Sequence, residues 1–219
     1  FRAQLEKWKF VFVPEVATPA ELPVDMNGFK SQQHRWVKGS MQTSKKLLGK
    51  VIKADLPSHV KSEAIVHLTG NTCYLMMVVL ALLMFPVTYF RPLIAMEHSG
   101  FVDLAIFALA TISVCVYYLL AQREIYGFGQ VMRAFVHIPF LLSVGIGMCL
   151  SNGRAVLEGL FSRSSGEFVR TPKYSIEQHA DTFVKKRYRA RLSLKFVTAL
   201  FELLLGIGFL GIILYSIRH

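Results

Sequence analysis

The sequence predicts a mainly α-helical protein built around membrane-spanning helices. Three observations carry that expectation. First, 53% of the 219 residues are hydrophobic and the mean hydropathy is +0.42, yet the formal net charge is +11. High hydropathy and high charge fit one chain only if the two kinds of residue are segregated along it. Second, they are segregated. Eleven Lys/Arg fall within residues 1–63 and ten more within 152–195, whereas 64–121 carry only Arg91. Third, the apolar runs approach the ~20 residues that a helix needs to cross a bilayer. Basic segments alternating with such runs are the pattern of an integral membrane protein whose cationic loops stay in the cytoplasm. No basic–aromatic repeat or DNA-binding motif accompanies the charge, so nucleic acid is not the expected partner.

Cys73, Cys115 and Cys149 lie far apart inside apolar segments and form no C-x-x-C pair, which argues for buried thiols over a zinc site or a disulfide framework. The chain opens at Phe1 with no signal peptide, and Phe1-Arg2-Ala3-Gln4-Leu5 has the composition of a mid-helix stretch. The expectation is a fragment of a longer protein.

Residues 1–63 form the first division. Phe1 to Lys7 reads as a helix end, and the alternation from Lys9 to Val13 predicts a short strand. Pro14, Pro19 and Pro23 then break the chain into an extended loop. A helix resumes over 24–40, with Asp25 or Asn27 as its cap, and carries Gln32-Gln33-His34-Arg35-Trp36. Gln32, Arg35 and Trp36 stand at i, i+3 and i+4, hence on one face. An indole offers a flat apolar platform for a pyranose, and a guanidinium offers a fixed fork of donors for a diphosphate. A Trp in the domain core beside a snorkelling Arg is the other reading of the same pair. Lys45, Lys46, Lys50 and Lys53 interleave with Leu47, Leu48, Val51 and Ile52, giving a basic amphipathic helix that suits an anionic membrane surface or an ordinary protein surface.

Residues 64–121 hold two expected spans. Thr72 to Phe90 is almost wholly apolar, with Pro86 as a possible kink, and Phe101 to Ala121 follows a short loop. Arg91 is the only basic residue of that loop, which places it outside and both flanks in the cytoplasm. His67 and Asn71 either face a translocated chain or sit at headgroup level. Residues 122–193 begin with a mixed stretch and a third apolar run, Ala134 to Leu150. His137, Pro139, Gly145 and Gly147 interrupt that run. It is short and both flanks are basic, so an interfacial or re-entrant element is expected in place of a full crossing. A short amphipathic piece and a Ser/Gly-rich loop lead to the basic run Lys185 to Arg191, an anchor for the next span. Residues 194–219 are that last span. Glu202 lies within it, as a functional acid or as the partner of a nearby base. Gly206 to Gly211 matches G-x-G-x-x-G but follows no strand, so small-residue helix packing explains it better than a dinucleotide site.

Gln32-Gln33-His34-Arg35-Trp36 is the Q-x-x-R-W signature of processive membrane glycosyltransferases of family 2. With Trp8-Lys9-Phe10-Val11-Phe12 and Ala20-Glu21-Leu22-Pro23, the first forty residues resemble the last part of a family-2 GT-A domain of the glucomannan- and cellulose-synthase-like branch. The resemblance implies that Trp36 stacks on the terminal sugar of the acceptor glycan, and that Gln32 and Arg35 contact the donor pyrophosphate. Further on, Phe168, Thr171 and Lys173 keep the spacing of the F-x-V-T-x-K-G gating loop of cellulose synthases, while Arg170 and Tyr174 depart from it. A hydroxyl and an ammonium on a mobile loop suit closure over a nucleotide diphosphate, and a solvated basic loop beside the membrane is the other reading of the same residues. The family's D-x-D and general-base motifs occur nowhere in the chain.

The expectation is therefore a mainly α-helical chain in which membrane helices follow a C-terminal remnant of a GT-A (α/β) domain. By resemblance its parent is an inverting hexosyltransferase. It takes sugar from a nucleotide-sugar donor (UDP-glucose or GDP-mannose) on the cytoplasmic side and extends a β-linked glycan acceptor across the lipid bilayer. A divalent cation, Mg or Mn, serves the full-length enzyme with no ligand residue here, and the fragment alone is inactive. The alternatives are a non-processive glycolipid-forming enzyme and a non-catalytic membrane transporter or scaffold.

Overall fold

The computed structural model describes residues 1–13, 15–18, 20–90, 99–162 and 194–218. Among them the chain is mainly helical and contains no strand: α1 (Arg2–Leu5), α2 (Met26–Lys53), α3 (Ser58–Thr69), α4 (Cys73–Phe90), α5 (Ser99–Tyr126), α6 (Val131–Gly147), α7 (Cys149–Phe161) and α8 (Leu194–Arg218). The short strand expected over Lys9 to Val13 is not formed. A strand exists only by pairing, and no described segment lies beside this one to complete a ladder. Its apolar side chains are left in the open, with Phe12 88% and Val11 84% exposed.

Local chemistry accounts for the helix ends. Lys7, at φ 66, closes α1 in the left-handed region, while Trp8 N–H donates to the Ala3 carbonyl and Lys7 N–H to that of Gln4. Asp25 caps α2, its carboxylate accepting from Gly28 N–H at 2.6 Å. The helix then runs 28 residues, so the Q-x-x-R-W stretch and the basic amphipathic stretch form one rigid rod. Gly70–Thr72 is a single 3-10 turn joining α3 to α4.

Three helices among the described residues are long and apolar enough to cross a membrane: Ser58–Phe90, Phe128–Gly147 and Phe196–Arg218. α5, which carries the second expected span, is not among them, and several of its side chains lie outside the described residues. α6, expected to be interfacial or re-entrant, has by length and composition enough apolar chain to cross.

The chain divides into two compact units, Phe1–Val78 with Cys149–Leu203, and Val79–Met148 with Leu204–His219. In the first, α2 packs along α7 and α3. Val37, Met41, Ala155 and Val156 form the core, with Tyr74, Leu75 and Leu160 against it. Val37, Met41, Ser44, Leu47 and Val51 are the buried stripe of α2, spaced by three or four residues as a helical core face requires. α7 answers with small residues. A Cβ on Gly159 would stand 2.6 Å from Met41 Cβ and 2.8 Å from the Lys38 carbonyl, so only glycine allows this approach. In the second unit α5 and α6 form a helical hairpin turned at Gly127, at φ 77. Phe85 and Phe209 stack at 5.6 Å beside Gly208, the one glycine of the G-x-G-x-x-G run that meets a described neighbour.

Candidate substrate-binding face

The 3.6-residue period divides the surface of α2 into three stripes. Val37 and Met41 face the core. His34 and Lys38, one turn apart, face α7. Gln32, Arg35, Trp36, Gly39, Gln42, Thr43 and Lys46 fall on the remaining side, opposite the core. The residues at which the sequence locates the site are therefore brought together by α2 alone. Trp36 is 57% exposed and Gln32 and Arg35 are half-buried. Among the described residues the indole packs into no core.

One turn further along, the same stripe borders a cleft of about 350 Å³ between α2 and the start of the chain, lined by Phe1, Arg2, Gly39, Gln42, Thr43 and Lys46. Gly39 leaves that wall without a side chain, and nothing lies within 4 Å of where its Cβ would be. Phe1 is held by an edge-on contact with His67, ring centroids 5.5 Å apart. Leu47 completes the wall of the cleft, and among the described residues the lining carries Arg2, Lys46, an amide and a hydroxyl and no carboxylate side chain, a set suited to an anionic or polyhydroxylated ligand.

The stripe facing α7 is fixed by an ion cluster around Glu158. Lys38 Nζ reaches Glu158 Oε2 at 3.0 Å, Arg154 Nε donates to Oε1 at 2.8 Å, and His34 Nε2 stands 3.7 Å from Oε1. Burial pushes the Glu158 carboxyl up. The Lys38 hydrogen bond and the charges of His34, Lys38 and Arg154 outweigh burial, leaving it below the usual carboxylate range. A carboxylate that accepts from two helices sets their rotation as well as their separation. His34 and Lys38 flank Arg35 and Trp36 in sequence, so the rotation that Glu158 imposes is the one that turns the Q-x-x-R-W face outward. A second tie fixes the start of α2, where Lys30 pairs with Glu202 of α8. The acid expected to be functional or paired within the last span is thus paired.

Sequence reasoning missed Glu158 and Arg154. Their i, i+4 spacing on an amphipathic helix signals an intrahelical pair. Nothing local announces Lys38, which lies 120 residues away. The lysine-rich end of α2 also differs from a simple membrane-lying helix. Leu47 and Val51 are buried within the unit, where α2 runs along α3, and Lys45, Lys46, Lys50 and Lys53 are exposed around them. Phe168, Thr171 and Lys173 lie outside the described residues. Among the described residues no group of three or more His, Cys, Asp or Glu is arranged to hold a metal ion.

Over 54 residues the chain is 35% identical to glucomannan 4-beta-mannosyltransferase 7 of Arabidopsis thaliana, a match covering 25% of this chain and 10% of that protein. Over 52 residues it is 38% identical to glucomannan 4-beta-mannosyltransferase 1 of Oryza sativa subsp. japonica, covering 24% of this chain and 10% of that protein. The aligned part spans about a tenth of the length of these curated relatives. No family model and no solved structure matches. Over that segment the chain is related to glycosyltransferases.

Proposed function

We propose that the chain forms the C-terminal part of an inverting, processive family-2 glycosyltransferase. On this reading the whole enzyme takes hexose from a nucleotide-sugar donor, UDP-glucose or GDP-mannose, at the cytoplasmic face of the membrane. It adds that sugar to a β-linked polysaccharide and passes the product through its spans. Trp36 stacks on the terminal sugar of the acceptor, while Gln32 and Arg35 contact the donor pyrophosphate.

One observation carries the reading. Gln32, Arg35 and Trp36 share the stripe of α2 turned away from its core, with the indole exposed. A structural Trp–Arg pair has no reason to occupy that stripe, because an exposed indole gives up its burial energy. The similarity to glucomannan mannosyltransferases supports the same assignment. Phe168, Thr171 and Lys173 complete the proposal as a loop that closes over the donor. A divalent cation belongs to the proposal for the whole enzyme. The described residues hold no cluster that fits one. On this reading the chain alone transfers no sugar.

The test uses the full-length protein in sealed membrane vesicles, supplied separately with radiolabelled UDP-glucose and GDP-mannose. Incorporation from one donor into a product of many sugars supports the proposal. A single sugar on lipid replaces it with the glycolipid-forming alternative, and no incorporation from any hexose donor leaves the transporter or scaffold.

A further inference from the structure

We infer that the α5–α6 hairpin holds an anionic phospholipid, with its phosphate at Arg133 and its acyl chains leaving along Ile138 and Leu141. The hairpin lines an open cavity of about 490 Å³, within the size range of small-molecule sites. Its lining is graded. Tyr118 and Gln122 stand one turn apart on α5, while Arg133, His137 and Leu141 stand at i, i+4 and i+8 on α6, so two facing stripes line it. The two helices run antiparallel from the turn at Gly127, which places Tyr126, Gln130, Gln122 and Arg133 toward the turn, Tyr118 and His137 at the next level, and Ile138 and Leu141 beyond them.

A phospholipid has that same gradient, from a charged phosphate to apolar chains. Arg133 is the one charged side chain of α6, and a charge on so apolar a helix calls for a ligand or a partner. His137 Nδ1–H donates to the Arg133 carbonyl at 2.7 Å, which fixes the imidazole on this face. Among the described residues no carboxylate lines the cavity, so none there neutralises the guanidinium. A sugar chain would also find Tyr118, but it has no use for an unneutralised cation at one end and an apolar exit at the other. Basic pockets between membrane helices, close to the cytoplasmic surface, are where anionic headgroups bind. This inference is independent of the glycosyltransferase reading.

The test measures binding of fluorescent phosphatidylserine to the purified full-length protein in phosphatidylcholine nanodiscs, with labelled phosphatidylcholine as the neutral comparator. Wild type is expected to bind phosphatidylserine saturably and in preference to phosphatidylcholine. Arg133→Gln should weaken that binding at least about tenfold, the effect of losing a direct charge-assisted hydrogen bond to the phosphate. Arg133→Lys, which keeps the charge, should stay within about twofold of wild type. Arg123→Gln removes a cation from the same hairpin outside the cavity and should change nothing. Equal affinity for both lipids, no loss in Arg133→Gln, or an equal loss in Arg123→Gln would overturn the site. Displacement of the lipid by millimolar inorganic phosphate would assign it to a free phosphate, and displacement by a soluble β-linked oligosaccharide to a glycan. Either result rejects the lipid.

Discussion

Glu158 is the residue on which most of the charge on this face of α2 converges. It accepts from Lys38 and Arg154 and stands beside His34. Because its folded pKa lies below the unfolded value, its contribution is fully present above the ordinary carboxylate range. That contribution is lost as pH falls through the folded pKa. Glu158→Gln should therefore flatten the acid limb of the stability profile. It should cost on the order of 1 kcal/mol near neutral pH, a modest figure because the groups are partly solvated. Melting temperature against pH, wild type beside the variant, measures this. Parallel profiles through the acid range would show that the cluster contributes nothing. The i, i+3, i+4 spacing of Gln32, Arg35 and Trp36 was legible from the sequence, since helical period alone puts them on one face. The Glu158 cluster was not, because two of its cations arrive from a helix more than a hundred residues away.

At the scale of elements, the α2–α7 contact depends on glycine. Gly159→Ala places a methyl inside contact distance of Met41 and the Lys38 carbonyl, so the helices must part. The expected loss is about 1–3 kcal/mol, the usual cost of overpacking a fitted interface. Gly49→Ala is the control, since nothing lies within 4 Å of its Cβ and alanine is the better helix former. That variant should be stabilised by up to about 1 kcal/mol. Denaturant unfolding of both reads the contrast, and equal effects would refute the close approach. The helices themselves were legible, because hydropathy and period act locally. The strand expected at Lys9 to Val13 was not there to be read, because alternation marks a chain able to pair and supplies no partner.

For the whole molecule, the α2–α7 contact constrains membrane topology. Helices that pack on each other outside the bilayer lie on the same side of it. On the proposed reading α2 and α7 both lie outside the bilayer, and the chain between them, which holds α4, α5 and α6, then crosses it an even number of times. If two of them cross and α8 crosses after them, the C-terminal end lies opposite α2. In a cysteine-free background, Ser216→Cys and Lys46→Cys should react with an impermeant maleimide from opposite faces of sealed vesicles. Labelling of both from one face would contradict this topology.

The proposed role of the outward face of α2 in sugar transfer is most directly tested by Trp36→Ala in the full-length protein. Polymer formation from the active donor and thermal melting are measured on the same preparation. Trp36 is exposed, so the melting transition should move by no more than about 0.5 kcal/mol, as for surface substitutions generally. Incorporation should fall by up to about tenfold, the equivalent of the roughly 1.4 kcal/mol near the upper end of what an aromatic contact supplies. Unchanged incorporation with unchanged stability would remove Trp36 from the site. Lost incorporation together with lost stability would make it a structural residue after all.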